Sequence, residues 1–134
     1  MRELYIANKN YSSWSLRPWL LMKQLNIPFT EQLVPFADQD NFTRFRTFSP
    51  SGKVPCMVQH NTVIWDSLAI AEYLAEQFPD KQLWPTDKAA RARARSICAE
   101  MHSGFVGLRS ACPMNIEAQL PDIGALALRD KPAV

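Results

Sequence analysis

The sequence has few of the residues on which disulfide-stabilised, metal-binding and membrane proteins depend. Its three cysteines are an odd number and form no Cys-x-x-Cys pair, which argues against a disulfide framework. Only two histidines accompany them, too few for a zinc site of typical spacing. No apolar run reaches the length of a membrane span, and residues 8–10 are polar or charged where a signal peptide would be apolar. The sequence therefore predicts a cytoplasmic protein with reduced thiols, no metal and no membrane partner.

The chain also lacks a strong charge of either sign. Residues 1–80 carry 7 basic and 8 acidic groups, and residues 81–134 carry 8 and 5, so the two parts have net charges of −1 and +3. So small a difference does not predict nucleic-acid binding. Apolar residues make up 47% of the 134 residues, which is enough for the core of one domain and part of a second.

The spacing of apolar residues predicts an order of strands and helices. His60-Asn61 is a two-residue turn between two apolar runs, which indicates a hairpin. Pro18 is tolerated only near the start of a helix, so the first helix should begin near Trp14 or Ser15. The predicted elements are strand 4–7, helix 14–26, strand 29–34, short helix 41–48, strands 57–59 and 62–65, and helix 68–78.

This order predicts an α/β, thioredoxin-like N-terminal domain over residues 1–80, with a small mixed sheet covered by helices. A linker over residues 81–85 then precedes a longer helix that starts at Pro85 and that Pro113 ends or kinks. The apolar residues of this helix repeat nearly as a heptad, which is typical of an all-helical domain. We therefore predict an incomplete all-helical second domain over residues 86–134, in which no element is assigned beyond Pro121.

Two segments of the first domain suit the recognition of a small peptide. In Ser49–Pro55, a Gly-Lys turn leads to Val54-Pro55, where a cis bond is plausible because cis peptide bonds occur almost only before proline. A cis bond there would expose the Val54 N–H and C=O to an extended peptide. Asp66 and Ser67 begin the next helix and offer a carboxylate beside free backbone N–H groups. Together these groups fit a ligand that has both an amine and a carboxylate.

Four segments resemble one known family. They occur in the family's order over residues 1–115, and they resemble the glutathione S-transferases, most closely the zeta- and theta-like bacterial members. The segments are Tyr11–Arg17, Ser49–Pro55, Asp66–Leu74 and the long helix after Pro85.

The resemblance implies a glutathione site. Val54, before the cis Pro55, would pair its backbone with the cysteinyl part of glutathione. Asp66 and Ser67 would hold the γ-glutamyl end, and Lys53 could neutralise a ligand carboxylate. The resemblance implies neither a histidine in this site nor a bound metal.

The resemblance also implies a hydroxyl that donates a hydrogen bond to the glutathione sulfur. The zeta pattern, counted back from Arg17, favours Ser12, whereas the theta spacing favours Ser13. A serine at this place is otherwise expected simply to cap the helix. The implied activity is that of a homodimeric enzyme. Glutathione would be its co-substrate or cofactor, and a small electrophile would be conjugated or isomerised.

Two other functions remain open at this stage. Members of the family are substantially longer, so the chain could be a non-catalytic or truncated module that binds glutathione or a protein partner. A glutathione-dependent reductase is the other reading. The family's reductases have a cysteine at the start of the first helix, and residues 11–15 contain none. Cys56, which follows the cis-proline candidate, is interpreted as a small strand residue that faces the core.

Overall fold

A computed structural model describes residues 1–122 of the chain. The chain separates into two compact units, Met1–Leu83 and a second unit that begins at Trp84. The first unit ends with a 3₁₀ turn at Pro79–Lys81, where proline stops the preceding helix. Its elements are β1 (Arg2–Ile6), α1 (Ser13–Gln24), β2 (Thr30–Leu33), α2 (Asn41–Arg46), β3 (Cys56–Gln59), β4 (Thr62–Ile64) and α3 (Ser67–Gln77).

The four strands form one mixed sheet in the order β2-β1-β3-β4. β1 pairs with β2 in parallel across the α1 connection, and the other two pairs are antiparallel. The β3–β4 hairpin turns at His60, whose φ of 54° suits a tight two-residue turn. These features confirm the thioredoxin-like fold that the order of elements predicted.

The core of the first unit lies between the central strands and two helices. Strand β1 contributes Leu4 and Ile6, α1 contributes Met22, and α3 contributes Ile70 and Leu74, all of them fully buried. Burying one such side chain contributes roughly 1.5–3 kcal/mol relative to leaving it exposed. The core therefore fixes the ends of α1 and α3 relative to the sheet, and the predicted binding residues lie at those ends.

Helix α1 begins at Ser13, one or two residues before the start at Trp14 or Ser15 that the position of Pro18 predicts. Ser12 caps the helix, and Pro18 is its sixth residue and is fully buried. Proline has no N–H, so the carbonyl of Trp14 receives no hydrogen bond from position 18. The buried packing of Pro18 and the cap at Ser12 keep the first turn helical despite that loss.

The second unit does not contain the single long helix that we predicted. Helix α4 (Lys88–Ser103) starts after its cap Asp87, and a separate short helix, α5 (Val106–Ala111), follows it. The prediction of one helix from Pro85 to Pro113 is therefore wrong. The apolar repeat continues through both helices, so periodicity alone could not reveal the break.

Gly104 explains where the long helix breaks. It is extended rather than helical, and the next residue, Phe105, has a φ of 60°. A Cβ at position 104 would lie 2.8 Å from the Glu100 carbonyl oxygen, so the backbone there takes a path that a side chain would obstruct.

Neither α4 nor α5 contains a buried residue. Residues 123–134 of the predicted helical domain, and the prediction that no element follows Pro121, lie outside the described residues. Among the residues that are described, no helix is long and apolar enough to cross a membrane.

Candidate functional site

The register of the sheet brings three loops to one end of it. Tyr5 pairs with Cys56 in the antiparallel strands β1 and β3, so the chain after β1 and the chain before β3 lie at the same end. Met57 pairs with Ile64, which places the chain after β4 there as well. Adjacent strands are only about 4.8 Å apart. This end of the sheet carries Ser12, Ser13, Lys53, Val54, Pro55, Asp66 and Ser67.

The loop before β3 has the conformation that the sequence predicted. The Val54–Pro55 peptide bond is cis. The turn that leads to it depends on Gly52, whose φ of 66° favours glycine and whose N–H donates to the Ser49 carbonyl over 3.0 Å. The Arg46 guanidinium of α2 donates to the Pro50 carbonyl and ties this loop to the helix.

Cys56 follows the cis-proline and is fully buried. Its Sγ lies 3.6 Å from the Phe48 carbonyl oxygen, and the Phe48 ring stacks on Tyr5 with centroids 4.5 Å apart. Burial raises the pKa of the Cys56 thiol, and a hydrogen bond with Ser49 opposes this only in part. The burial of Cys56 confirms its interpretation as a small core residue. A protonated, inaccessible thiol is also a poor nucleophile.

The loop after β4 presents the start of α3. The Trp65–Asp66 peptide bond is also cis. Asp66 is exposed and caps α3, accepting a hydrogen bond from the Leu68 N–H over 3.1 Å. An ionised carboxylate has about four acceptor sites, more than one backbone N–H can use.

Ser67, the first residue of α3, has a buried hydroxyl that makes no hydrogen bond among the described residues. Its side chain is 5% exposed. A buried polar group left without a partner costs about 1–3 kcal/mol. A ligand carboxylate at the N-terminus of α3 would satisfy this hydroxyl and would meet the positive end of the helix dipole.

Ser12 and Ser13 have different environments at the start of α1. Ser12 is 6% exposed and caps the helix, accepting from the Ser15 N–H over 3.3 Å. Its hydroxyl donates to the Ser15 Oγ over 2.8 Å. Ser13 is the first helical residue and is half-buried. Ser12 therefore has a fixed place in a hydrogen-bonded cluster.

Lys53 is exposed in the turn before the cis-proline. Its position agrees with a solvated lysine as well as with the contact to a ligand carboxylate that the resemblance implies. No cluster of three or more histidine, cysteine, aspartate or glutamate side chains that could hold a metal occurs in residues 1–122.

Sequence reasoning missed a polar network that holds the loop before Ser12. Lys9 forms an ion pair with Glu31 of β2 over 2.5 Å, and the Trp19 indole of α1 donates to the same carboxylate. Asn8 accepts a hydrogen bond from the Phe36 N–H through its side chain over 2.8 Å. These partners are 12 to 28 positions apart in sequence, and no local pattern links them.

Comparison with known proteins identifies the family to which the chain belongs. Residues 11–77 match the model of the glutathione S-transferase N-terminal domain. The chain is 35% identical over 107 residues to the probable maleylacetoacetate isomerase of Caenorhabditis elegans, covering 80% of this chain and 49% of that protein. It is 36% identical over 120 residues to glutathione S-transferase 1 of Dianthus caryophyllus, covering 88% of this chain and 53% of that protein.

A solved structure gives the same relationship. The theta-class glutathione S-transferase of Xanthomonas axonopodis pv. citri, with glutathione bound, superposes with a TM-score of 0.70 at 25% identity. The match covers 96% of this chain and 63% of that one. The chain spans about half the length of the curated relatives it matches. By its sequence and its fold, this chain belongs to the glutathione S-transferase family.

Proposed function

We propose that the chain binds glutathione at the end of the sheet where the three loops meet. The observation that carries this proposal is the buried, unpartnered hydroxyl of Ser67 beside the Asp66 cap. An acceptor is missing there, and the γ-glutamyl carboxylate of glutathione would provide one. Asp66 would face the γ-glutamyl amine, and Lys53 would meet a carboxylate elsewhere on the peptide.

The cis Val54–Pro55 segment would hold the middle of the ligand. Val54 lies two residues before Cys56, the first residue of β3, so its N–H and C=O lie close to the end of a strand. An extended peptide pairs with such groups by main-chain hydrogen bonds. Glutathione would therefore be held at two places in addition to its sulfur, the Val54 backbone and the start of α3.

Bound glutathione supplies a thiol that becomes a strong nucleophile when it is deprotonated. A free thiol has a pKa of about 8.5, and lowering it by about two units requires roughly 2.7 kcal/mol of preference for the thiolate. Ser12 would contribute a charge-assisted hydrogen bond, and the N-terminus of α1 would add its dipole. We favour Ser12 over Ser13 as the donor because Ser12 is the more buried and the better fixed of the two.

The proposed activity is transfer of glutathione to, or isomerisation of, a small electrophile. The nucleophile of this chemistry belongs to glutathione, so the chain's own residues would act by binding and by orienting a donor. Relatives named as maleylacetoacetate isomerases favour the narrower reading of a cis–trans isomerase that uses glutathione as cofactor. Rates on a cis-enedioic keto acid and on a halogenated aromatic compound would separate the two activities.

A calorimetric titration of the 134-residue chain with glutathione tests the binding proposal. Two buffers of different ionisation enthalpy would report proton release, and we expect saturable binding with net release near neutral pH. A folded chain that binds no glutathione would contradict the proposal.

The variant Ser67→Ala sharpens this titration. We expect it to weaken glutathione binding about tenfold, because the ligand loses one hydrogen bond to a buried hydroxyl. The free energy of unfolding of this variant should not fall, since the hydroxyl that is removed has no hydrogen-bond partner among the described residues. Ser96→Ala is a matched control. Ser96 is an exposed serine of α4 whose hydroxyl bonds only to the Ala92 carbonyl.

A second function, glutathione binding without turnover, is favoured by one observation. Neither α4 nor α5 contains a buried residue. Glutathione binding without activity on a broad panel of electrophiles would support this alternative over the enzyme.

A further inference from the structure

Ser15 forms the hidden part of the hydroxyl cluster at the start of α1. It is fully buried, and its Oγ accepts hydrogen bonds from the Ala7 N–H over 3.1 Å and from the Ser12 hydroxyl over 2.8 Å. Ala7 follows β1, so this cluster also ties the helix to the end of the central strand. The function proposed above uses Ser12 but gives Ser15 no role.

The two serine hydroxyls have two protons but only one oxygen–oxygen contact between them. When Ser12 donates to Ser15, the Ser15 proton has no acceptor among the described residues. When Ser15 donates to Ser12, it is the Ser12 proton that needs an acceptor elsewhere. Because a buried donor without a partner is unfavourable, the cluster is one acceptor short in either arrangement.

A thiolate beside Ser12 would supply the missing acceptor. Ser12 would then donate to the sulfur and accept from both the N–H and the hydroxyl of Ser15. Ser15 would keep its bond from Ala7 and donate to Ser12. Every O–H bond stays intact in this change, and only the direction of one hydrogen bond reverses. A hydroxyl that accepts a hydrogen bond is also a stronger donor, because neighbouring bonds polarise one another.

We propose that Ser15 is a positioning residue. By donating the hydrogen bond between the two serines, it would direct the Ser12 hydroxyl towards the sulfur of bound glutathione. The proposal rests on the function proposed above. It differs from a purely structural role, in which Ser15 would hold Ala7 and the helix start and have no effect on the sulfur. It also differs from competition, in which Ser15 would keep the Ser12 proton away from the ligand.

The test is a pH titration of the thiolate absorbance of bound glutathione, with the 134-residue chain saturated by ligand. We expect Ser15→Ala to raise the pKa of the bound thiol by about half a unit, as the loss of one polarising bond implies. Glutathione affinity well above that pKa should change little. An unchanged pKa would leave Ser15 with a structural role only, and a lowered pKa would show competition; either result overturns the proposal.

A double variant excludes an indirect effect of Ser15 on the fold. If Ser15 acts through Ser12, then Ser15→Ala should have no further effect on the thiol pKa in a chain that already carries Ser12→Ala. Additive effects of the two substitutions would overturn the proposal. If Ser15→Ala does not fold, Ser15→Cys replaces it, because a thiol of similar size is a weak donor and should also raise the pKa.

The wild-type titration separates this inference from the proposed function. A wild-type chain that binds no glutathione, or that leaves the pKa of its thiol unchanged, would overturn the proposed function and the role of Ser15 with it. A wild-type chain that lowers this pKa, together with a Ser15→Ala variant that lowers it equally, would overturn the role of Ser15 alone.

Discussion

The indole Nε1 of Trp19 donates a hydrogen bond to the Glu31 carboxylate over 2.7 Å, and this bond joins α1 to the edge strand β2. Lys9 forms an ion pair with the same carboxylate. Burial of Glu31 acts to raise its pKa, but the hydrogen bonds from Lys9 and Trp19 and the charges of Lys9 and Lys23 together outweigh burial, and the pKa is lowered. The loop that leads to Ser12 is thus anchored by a carboxylate that stays ionised.

Glu31→Gln should therefore destabilise the chain, by about 1 kcal/mol near neutral pH, because a hydrogen bond to a charged group is replaced by a weaker one. A carboxyl whose pKa is lowered on folding stabilises the protein above its unfolded pKa and loses this effect as the pH falls through the folded value. The difference between wild type and variant should thus shrink below about pH 4. Urea unfolding at neutral and acid pH measures it, and a constant difference would contradict this account.

Gly52→Ala should destabilise the loop before the cis-proline by about 1–3 kcal/mol, since its φ of 66° disfavours a side chain. An added Cβ would also lie 2.5 Å from the Phe42 ring. Gly107→Ala in α5 is the matched control. Apart from its chain neighbours and its own helix backbone, no atom of residues 1–122 lies within 4 Å of a Cβ at that position. Alanine also favours helix, so the stability of this variant should be unchanged or higher. Thermal unfolding of both variants provides the comparison, and equal effects would show that the loop tolerates a side chain.

Asp66→Asn should separate helix capping from ligand recognition. Asparagine caps helices about as well as aspartate, so the stability of α3 should be retained, whereas Asp66→Ala should lose about 0.5–2 kcal/mol. If the charge of Asp66 faces the glutathione amine, Asp66→Asn should still bind more weakly than wild type. Calorimetry and chemical unfolding of the two variants test this, and wild-type affinity in Asp66→Asn would show that the charge is not used.

The three thiols should react at different rates. Cys56 is fully buried, and burial raises its pKa, while Cys98 and Cys112 are half-buried; none of the three is in a disulfide. A thiol reagent should therefore modify two cysteines of the folded chain readily and the third only on unfolding. Rapid labelling of Cys56, identified by mass spectrometry, would contradict this order and would revive the reductase reading.

Self-association is expected from the apolar surface of the second unit. Phe105 and Leu108 are 39% and 37% exposed, and Val106 between them is 67% exposed. Exposed apolar clusters of this kind usually mark a surface that another protein covers. Light scattering at micromolar concentration should therefore report a dimer or larger species. A monomer would contradict this expectation, and so would a dimer unaffected by Val106→Ser.

Local sequence patterns predicted those elements whose conformation is set mainly by neighbouring residues. The helix at Ser67–Gln77 and the hairpin around His60 follow from periodicity and turn residues, and a cis bond at Pro55 is allowed by the chemistry of proline. The break at Gly104 did not follow, because one glycine in an amphipathic repeat is compatible with either a continuous or an interrupted helix.

The candidate site could be predicted only in part for a related reason. Asp66 and Ser67 belong to a local capping pattern, but the burial and the missing partner of the Ser67 hydroxyl depend on packing. Ser12 and Ser15 are three residues apart, a capping distance that could have linked them. The bond from Ala7 to Ser15 joins a strand to a helix, and no spacing rule predicts it.

The pairing of β3 with both β1 and β4 has a consequence for the lifetime of the site. The loop before β3 belongs directly to this strand, and the other two loops leave the strands on either side of it. A fluctuation that detached β3 would therefore separate all three loops at once. The proposed binding groups would therefore be dispersed together whenever β3 opens, in addition to any local motion of the individual loops.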